Sequence, residues 1–238
     1  MGRQGIYDRT GSTYEVERYG AVHMTDYLGR RNAALTQLIA QHTSGRPAVR
    51  ILDVGCGTGL SLSHVAKDRP HDIVYGCDFS RTMLRQTRDK MIEMGRRPTV
   101  ALGSALQLPV ADASFDVVYA TRFIHQFANK RQVFDEFRRV TKPSGLIIVE
   151  FYARLYHWMR YYVQGVRESR DTFFTHFPTT DEVRATVGGT FECVPLRLGG
   201  AKALHSALGP RGVERLTAAA NRFPLRLALD EYFVVVRQ

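Results

Sequence analysis

The stretch Ile51-Leu52-Asp53-Val54-Gly55-Cys56-Gly57-Thr58-Gly59 constrains this chain more than any other. A short continuous apolar run reads as a strand buried on both faces, and this one ends on an acid followed by glycines at alternate positions. Glycine admits positive φ and lets a ligand come against the main chain. The segment therefore predicts a sharp strand-to-helix turn at the carboxyl end of a parallel sheet, where such sheets bind ligands. A dinucleotide site asks for Gly-x-Gly-x-x-Gly. Here the third glycine comes one residue early and Leu60 stands where it would be, which argues against NAD or FAD.

Around that turn, strand and helix signals alternate. Strands are expected at Val49–Val54, Asp72–Cys77, Pro98–Leu102, Phe115–Ala120 and Leu146–Phe151, each short and apolar. Helices are expected at Leu60–Lys67 and after Ser80, an N-cap type followed by Met83, Leu84, Thr87, Met91 and Met94 at helical spacing. Another carries Val133, Phe134, Phe137 and Val140 on one face and is stopped by Pro143 and Gly145. Alternation over about a hundred residues implies a parallel sheet covered on both faces. Residues 14–44 hold two helix-like stretches, the second around Ala33–Gln41. After Phe151, the positions Leu155, Trp158, Met159, Tyr162, Val163 and Val166 form a helical stripe. Further helices are expected near Ala201–Leu208 and Val213–Asn221, and late strands at Phe191–Leu198 and Tyr232–Val236.

The 238 residues carry 33 Lys+Arg against 23 Asp+Glu, a net charge of +10. This favours anionic partners, yet only Lys67, Lys90, Lys130, Lys142 and Lys202 are lysines, and the arginines are scattered rather than gathered into a nucleic-acid arm. An anionic small-molecule acceptor is the expectation, with nucleic acid the weaker version. No apolar run approaches the roughly 18 residues of a membrane span and the first residues are polar, so a cytoplasmic protein is expected. Cys56, Cys77 and Cys193 match no zinc spacing and are expected as small buried residues, with no metal.

Several segments in order carry a family resemblance. "ILDVGCGTG", "IVYGCDFS", "GSALQLPVADASFDVVYA" and "EFRRVTKPSGLIIVE" resemble the successive motifs of class I S-adenosylmethionine-dependent methyltransferases. The resemblance is to the broad type 11 group that includes quinone and natural-product methyltransferases, and it covers roughly residues 45–152. It implies an α/β, Rossmann-like fold: a seven-stranded mostly parallel sheet with helices on both faces, an antiparallel last strand, and a helical cap or lid. It divides the chain into a cap segment at 1–44 and a methyltransferase domain at 45–238, with a helical lid insertion at about 152–188. Cys193 and Tyr232 would sit on strands six and seven.

The resemblance also assigns residues. Gly55, Cys56, Gly57 and Gly59 would line the methionine and ribose portion of S-adenosylmethionine, with Asp53 placing negative charge near its cationic end. Asp78 would accept from both ribose hydroxyls, and Phe79 would lie against the adenine. Ser104, Ala105 and Leu106 would address the adenine edge, although Ser104 replaces the aspartate the family often has there. Ser144 replaces a glycine in "KPSG", a surface difference expected to be neutral. Tyr14, Arg18 and Tyr19 resemble the helix that folds over the cofactor.

Methyl transfer from a sulfonium is an in-line displacement that needs alignment, exclusion of water and sometimes a base. His125, past strand four in "TRFIHQF", is the candidate base. Arg122 is a candidate anion holder, and Tyr152, His157, Tyr161 and His176 are further candidates. Packing of His125 with Phe123 and Phe127 is the alternative. The expected function is methyl transfer to a small aromatic or hydrophobic acceptor on O, N or C. An RNA methyltransferase and a non-catalytic cofactor-binding scaffold are the alternatives, because a fold alone does not fix activity.

Overall fold

The computed structural model describes residues 22–151, 180–196 and 232–238. In chain order these form helix α1 (Val22–His42), strand β1 (Arg50–Val54), α2 (Leu60–Asp68), β2 (Ile73–Asp78), α3 (Arg81–Glu93), β3 (Val100–Leu102) and β4 (Phe115–Ala120). A 3-10 turn (Ile124–Gln126) leads to α4 (Lys130–Val140), β5 (Thr141–Phe151), α5 (Thr180–Val187), β6 (Phe191–Pro195) and β7 (Tyr232–Arg237).

The strands make one seven-stranded sheet in the order β3-β2-β1-β4-β5-β7-β6. β1 to β5 pair in parallel, and β7 inserts antiparallel between β5 and β6. The strand order reverses between β1 and β4, so a crevice opens outside their carboxyl ends, beside the glycine turn.

Two-residue periodicity splits the core into two layers. Ile51, Val117, Tyr119, Leu146, Ile148, Phe233 and Val235 face Leu35 and Ile39 of α1 and Leu62 and Val65 of α2. Their neighbours Leu52, Val118, Ile147, Val149, Val234 and Val236 face Val133, Phe134 and Phe137 of α4 and Val183 and Val187 of α5. The strands read as continuous apolar runs because both faces are covered.

Local signals place the elements well. Ser80 caps α3 through its hydroxyl, which accepts from the Met83 N–H, and Met83, Leu84, Thr87 and Met91 are buried while Met94 lies past the helix end. The second expected stretch, around Ala33–Gln41, lies in a helix from Val22 to His42 that runs through Gly29 and Arg31, because the buried stripe of Leu28, Leu35, Leu38 and Ile39 outweighs one interior glycine; residues 14–21 lie outside the described residues. Two expectations change. β3 begins at Val100, since pairing starts only with the Gly76 N–H to Thr99 carbonyl bond. Pro143 and Gly145 do not end α4. That helix stops at Val140, where the Thr141 hydroxyl donates to the Phe137 carbonyl, and both residues lie within β5, where the register jumps from Phe115↔Thr141 to Val117↔Leu146.

The stripe after Phe151 and the helices expected at Ala201–Leu208 and Val213–Asn221 lie outside the described residues, as do Tyr14, Arg18, Tyr19, Tyr152, His157, Tyr161 and His176. Among the described residues no helix is long and apolar enough to cross a membrane.

Candidate functional site

The glycine turn is a backbone construction. Gly55, Gly57 and Gly59 all have positive φ, at 72, 56 and 83°, and Gly59 starts α2 without any side-chain cap. The turn hangs on β2, with the Gly55 and Cys56 N–H groups both donating to the Cys77 carbonyl at 2.8 and 3.1 Å. From α3, the Thr87 hydroxyl donates to the Gly57 carbonyl at 2.7 Å and the Lys90 ammonium to the Thr58 carbonyl at 2.9 Å. A Cβ on Gly55 would lie 2.2 Å from the Phe123 ring, so only glycine admits that close packing.

Asp78, at the end of β2, is buried rather than a solvated cap. One carboxylate oxygen accepts from the Gly57 N–H and the other from the Ser80 N–H, both at 2.9 Å.

Gly55, Cys56, Gly57, Thr58 and Asp78 line an open pocket of about 660 Å³, solvent-filled mouth included. By element the lining falls into two groups: a glycine wall of Gly55, Cys56, Gly57, Thr58, Asp78, Phe79 and Met83 from the turn, the end of β2 and α3, and a second wall of Leu28, Arg31, Leu60, Ser61, Thr121, Arg122, Phe123 and Gln126 from α1, α2 and the connection after β4. The second wall holds a polar cluster that the sequence reading missed. Arg31, 2% exposed, donates to Asn32 Oδ1 and to Ser61 Oγ, the latter at 2.6 Å. Ser61 in turn lies 3.1 Å from the Thr121 hydroxyl, and Glu150 Oε2 stands 3.7 Å from Arg31 Nη1 while accepting from the Arg122 N–H at 2.9 Å. Two signals were available: an arginine on the apolar face of α1 and a lone acid inside the apolar run of β5. Thr87 and Lys90 gave no signal beyond an amphipathic helix.

Other predicted residues are distributed unevenly. Gly55, Cys56, Gly57, Asp78, Phe79 and Arg122 line the pocket, whereas Asp53, Gly59, Ser104, Ala105, Leu106 and His125 are not among the lining residues. Asp53 is 1% exposed, accepts from the Tyr119 hydroxyl at 2.9 Å, and leaves Oδ1 without a hydrogen-bond partner. Burial pushes its carboxyl up to about 7, opposed by the Tyr119 bond and the Arg31 charge and reinforced by Asp78. The Ser104 hydroxyl accepts from the Leu106 N–H in its own loop at 3.2 Å. His125 is half-buried on the 3-10 turn; its neighbour Gln126 lines the pocket, and the flanking Phe123 and Phe127 rings pack 4.8 Å apart. Burial raises the Cys56 thiol well above its ordinary value and the Cys77 thiol to about 12, so neither supplies a thiolate at neutral pH. Among the described residues no group of three or more His, Cys, Asp or Glu side chains is placed to hold a metal ion.

With this geometry in view, comparison with known proteins is informative. Residues 52–149 match the methyltransferase domain family model. The ubiquinone/menaquinone biosynthesis C-methyltransferase UbiE of Burkholderia cenocepacia is 30% identical over 155 residues, 64% of this chain and 60% of the relative. The chain thus spans less than two thirds of that relative's length. An S-adenosylmethionine-dependent methyltransferase structure from Thermotoga maritima superposes with a TM-score of 0.59 at 25% identity, covering 80% of this chain and 84% of that one. The cyclase SpnF superposes with the same TM-score of 0.59 at 21% identity over 86% and 80% of the two chains, a likeness of fold alone.

Proposed function

We propose, from the premise that residues 52–149 belong to the class I S-adenosylmethionine-dependent methyltransferases, that this protein transfers a methyl group to a small aromatic acceptor of the quinol type. The observation that carries the reading is the Asp78 carboxylate, buried at the end of β2 and fixed by the Gly57 and Ser80 N–H groups. It lines the pocket, where a vicinal diol such as a ribose would meet it, one residue from a half-buried aromatic, Phe79. The quinone C-methyltransferase relative supports the acceptor class.

The residues fit the cofactor at each end. Asp78 would take the ribose hydroxyls, Phe79 and Met83 the adenine, and Arg31, buried in the opposite wall, the carboxylate. Bound here, S-adenosylmethionine supplies an electrophilic methyl group on a cationic sulfur. The protein's task is then alignment. The glycine turn fixes one wall through main-chain hydrogen bonds, and Leu60, Thr121, Arg122 and Gln126 shape the side from which an acceptor approaches. Transfer would break the methyl carbon–sulfur bond, release S-adenosylhomocysteine and hand the acceptor's proton to a base; His125, beside the lining residue Gln126 though not itself a lining residue, is the candidate in this reading.

Calorimetric titration with S-adenosylhomocysteine and with NAD tests the cofactor. Binding of S-adenosylhomocysteine that weakens in Asp78→Ala by about 1.5–3 kcal/mol, the contribution of hydrogen bonds to a charged group, is expected. Binding of NAD alone, or no effect of Asp78→Ala, overturns it. With labelled methyl donor and reduced naphthoquinols as acceptors, His125→Ala should lower turnover by roughly 10² to 10⁴ if the imidazole takes the proton. Normal turnover would assign His125 to packing.

A further inference from the structure

We infer that Arg122 selects the acceptor, and that the acceptor carries an anionic oxygen group beside the position that receives the methyl. This rests on the methyl-transfer reading and names the acceptor class within it. Arg122 has φ of 53°, in the left-handed region that residues with a Cβ enter only at a cost. Ala113 and Ser144, which share this feature, are exposed and do not line the pocket; Arg122 does.

The strained backbone is held from behind. Glu150, 2% exposed, accepts the Arg122 N–H at 2.9 Å, and the same oxygen faces Arg31 at 3.7 Å. A buried carboxylate is therefore committed to keeping Arg122 in a conformation that glycine would adopt without cost. Strain that the surrounding structure maintains at a ligand-lined position marks function there rather than folding economy. What arginine brings and glycine lacks is a planar fork of N–H donors matched to a carboxylate or a similar pair of oxygens. The cofactor's own carboxylate has a separate counterpart in Arg31, whose guanidinium is fixed by Asn32 and Ser61 next to the glycine turn. Two arginines in one wall thus answer two anions, one on the cofactor and one on the acceptor.

The test uses protein saturated with S-adenosylhomocysteine, titrated with benzoate and with its neutral analogue benzamide. Wild-type protein should prefer benzoate by roughly tenfold, about one charge-assisted hydrogen-bonded pair. Arg122→Gln should lose that preference while its affinity for S-adenosylhomocysteine stays nearly unchanged, and Arg122→Gly should melt no lower than wild type. Equal affinity for the two probes, or a preference that survives in Arg122→Gln, overturns the inference. So does a loss of S-adenosylhomocysteine affinity in Arg122→Gln, which would make Arg122 a cofactor ligand. Wild-type protein that fails to bind S-adenosylhomocysteine at all overturns the methyl-transfer reading itself.

Discussion

The two walls of the pocket are built from different materials. On the glycine side, the fixed polar contacts have a main-chain group at one end: the Gly55 and Cys56 N–H groups meet a main-chain carbonyl, and the Gly57 N–H and the Gly57 and Thr58 carbonyls meet Asp78, Thr87 and Lys90. On the other side, the contacts run between charged or polar side chains from four elements or their flanks, namely Arg31 and Asn32 of α1, Ser61 of α2, Thr121 just after β4 and Glu150 of β5. A backbone-built wall presents the same donors whatever side chains surround it. A side-chain wall can change its chemistry by one substitution, so under the proposed reading acceptor choice can diverge there while Arg31 keeps its place beside the cofactor.

The largest expected effect probes the place where the walls touch. Gly55→Ala forces a Cβ to 2.2 Å from the Phe123 ring at a φ of 72°, whereas a Cβ on Gly57 meets nothing within 4 Å. Urea unfolding should show Gly55→Ala losing more than about 4 kcal/mol, and Gly57→Ala only the left-handed backbone cost of about 1–2 kcal/mol. Similar losses at both positions would mean that the contact between the walls adds nothing to stability.

Next in size is the charge beneath the turn. Burial raises the Asp53 carboxyl from 3.8 to about 7, so over that window the native protein holds a proton that the unfolded chain has released. Stability from this group is therefore full below pH 4 and declines as pH rises through 7, by something on the order of 4 kcal/mol. Asp53→Asn should flatten that decline in denaturation midpoints collected from pH 4 to 8. An unchanged slope would show that Asp53 is ionised throughout and that its charge, not its proton, is what the turn contains.

Smaller effects separate main-chain support from surface geometry. Thr87→Val removes the hydroxyl that donates to the Gly57 carbonyl and should cost about 1 kcal/mol in thermal unfolding. If S-adenosylhomocysteine affinity is untouched as well, the turn holds its shape without α3. Ser144, expected from sequence to be a neutral change, has φ of 63° at an exposed position of β5. Ser144→Gly should therefore raise stability by about 1 kcal/mol or less. No gain in melting temperature would place the cost of left-handed backbone elsewhere, including at Arg122.

The sequence alone determined the sheet, its two covered faces and the glycine wall. Each depends on information carried within a few residues: alternation of apolar runs, glycines at fixed spacing, a serine at a cap, an acid at a strand end. Asp78 and Phe79, which the motif resemblance singled out, do line the pocket. Only the tertiary structure decided the rest. It buried Asp53 under the turn rather than in the pocket wall, kept Ser104 occupied with Leu106, and aligned Gln126 rather than His125 with the cavity. It also brought Arg31, Ser61, Arg122 and Glu150 together across as many as 119 positions of chain. The physical reason is range. A turn or a cap is specified by its neighbours in sequence, but the energy of a buried charge depends on which distant charges and dipoles share its low-dielectric surroundings, and that is fixed only when the helices close on the sheet.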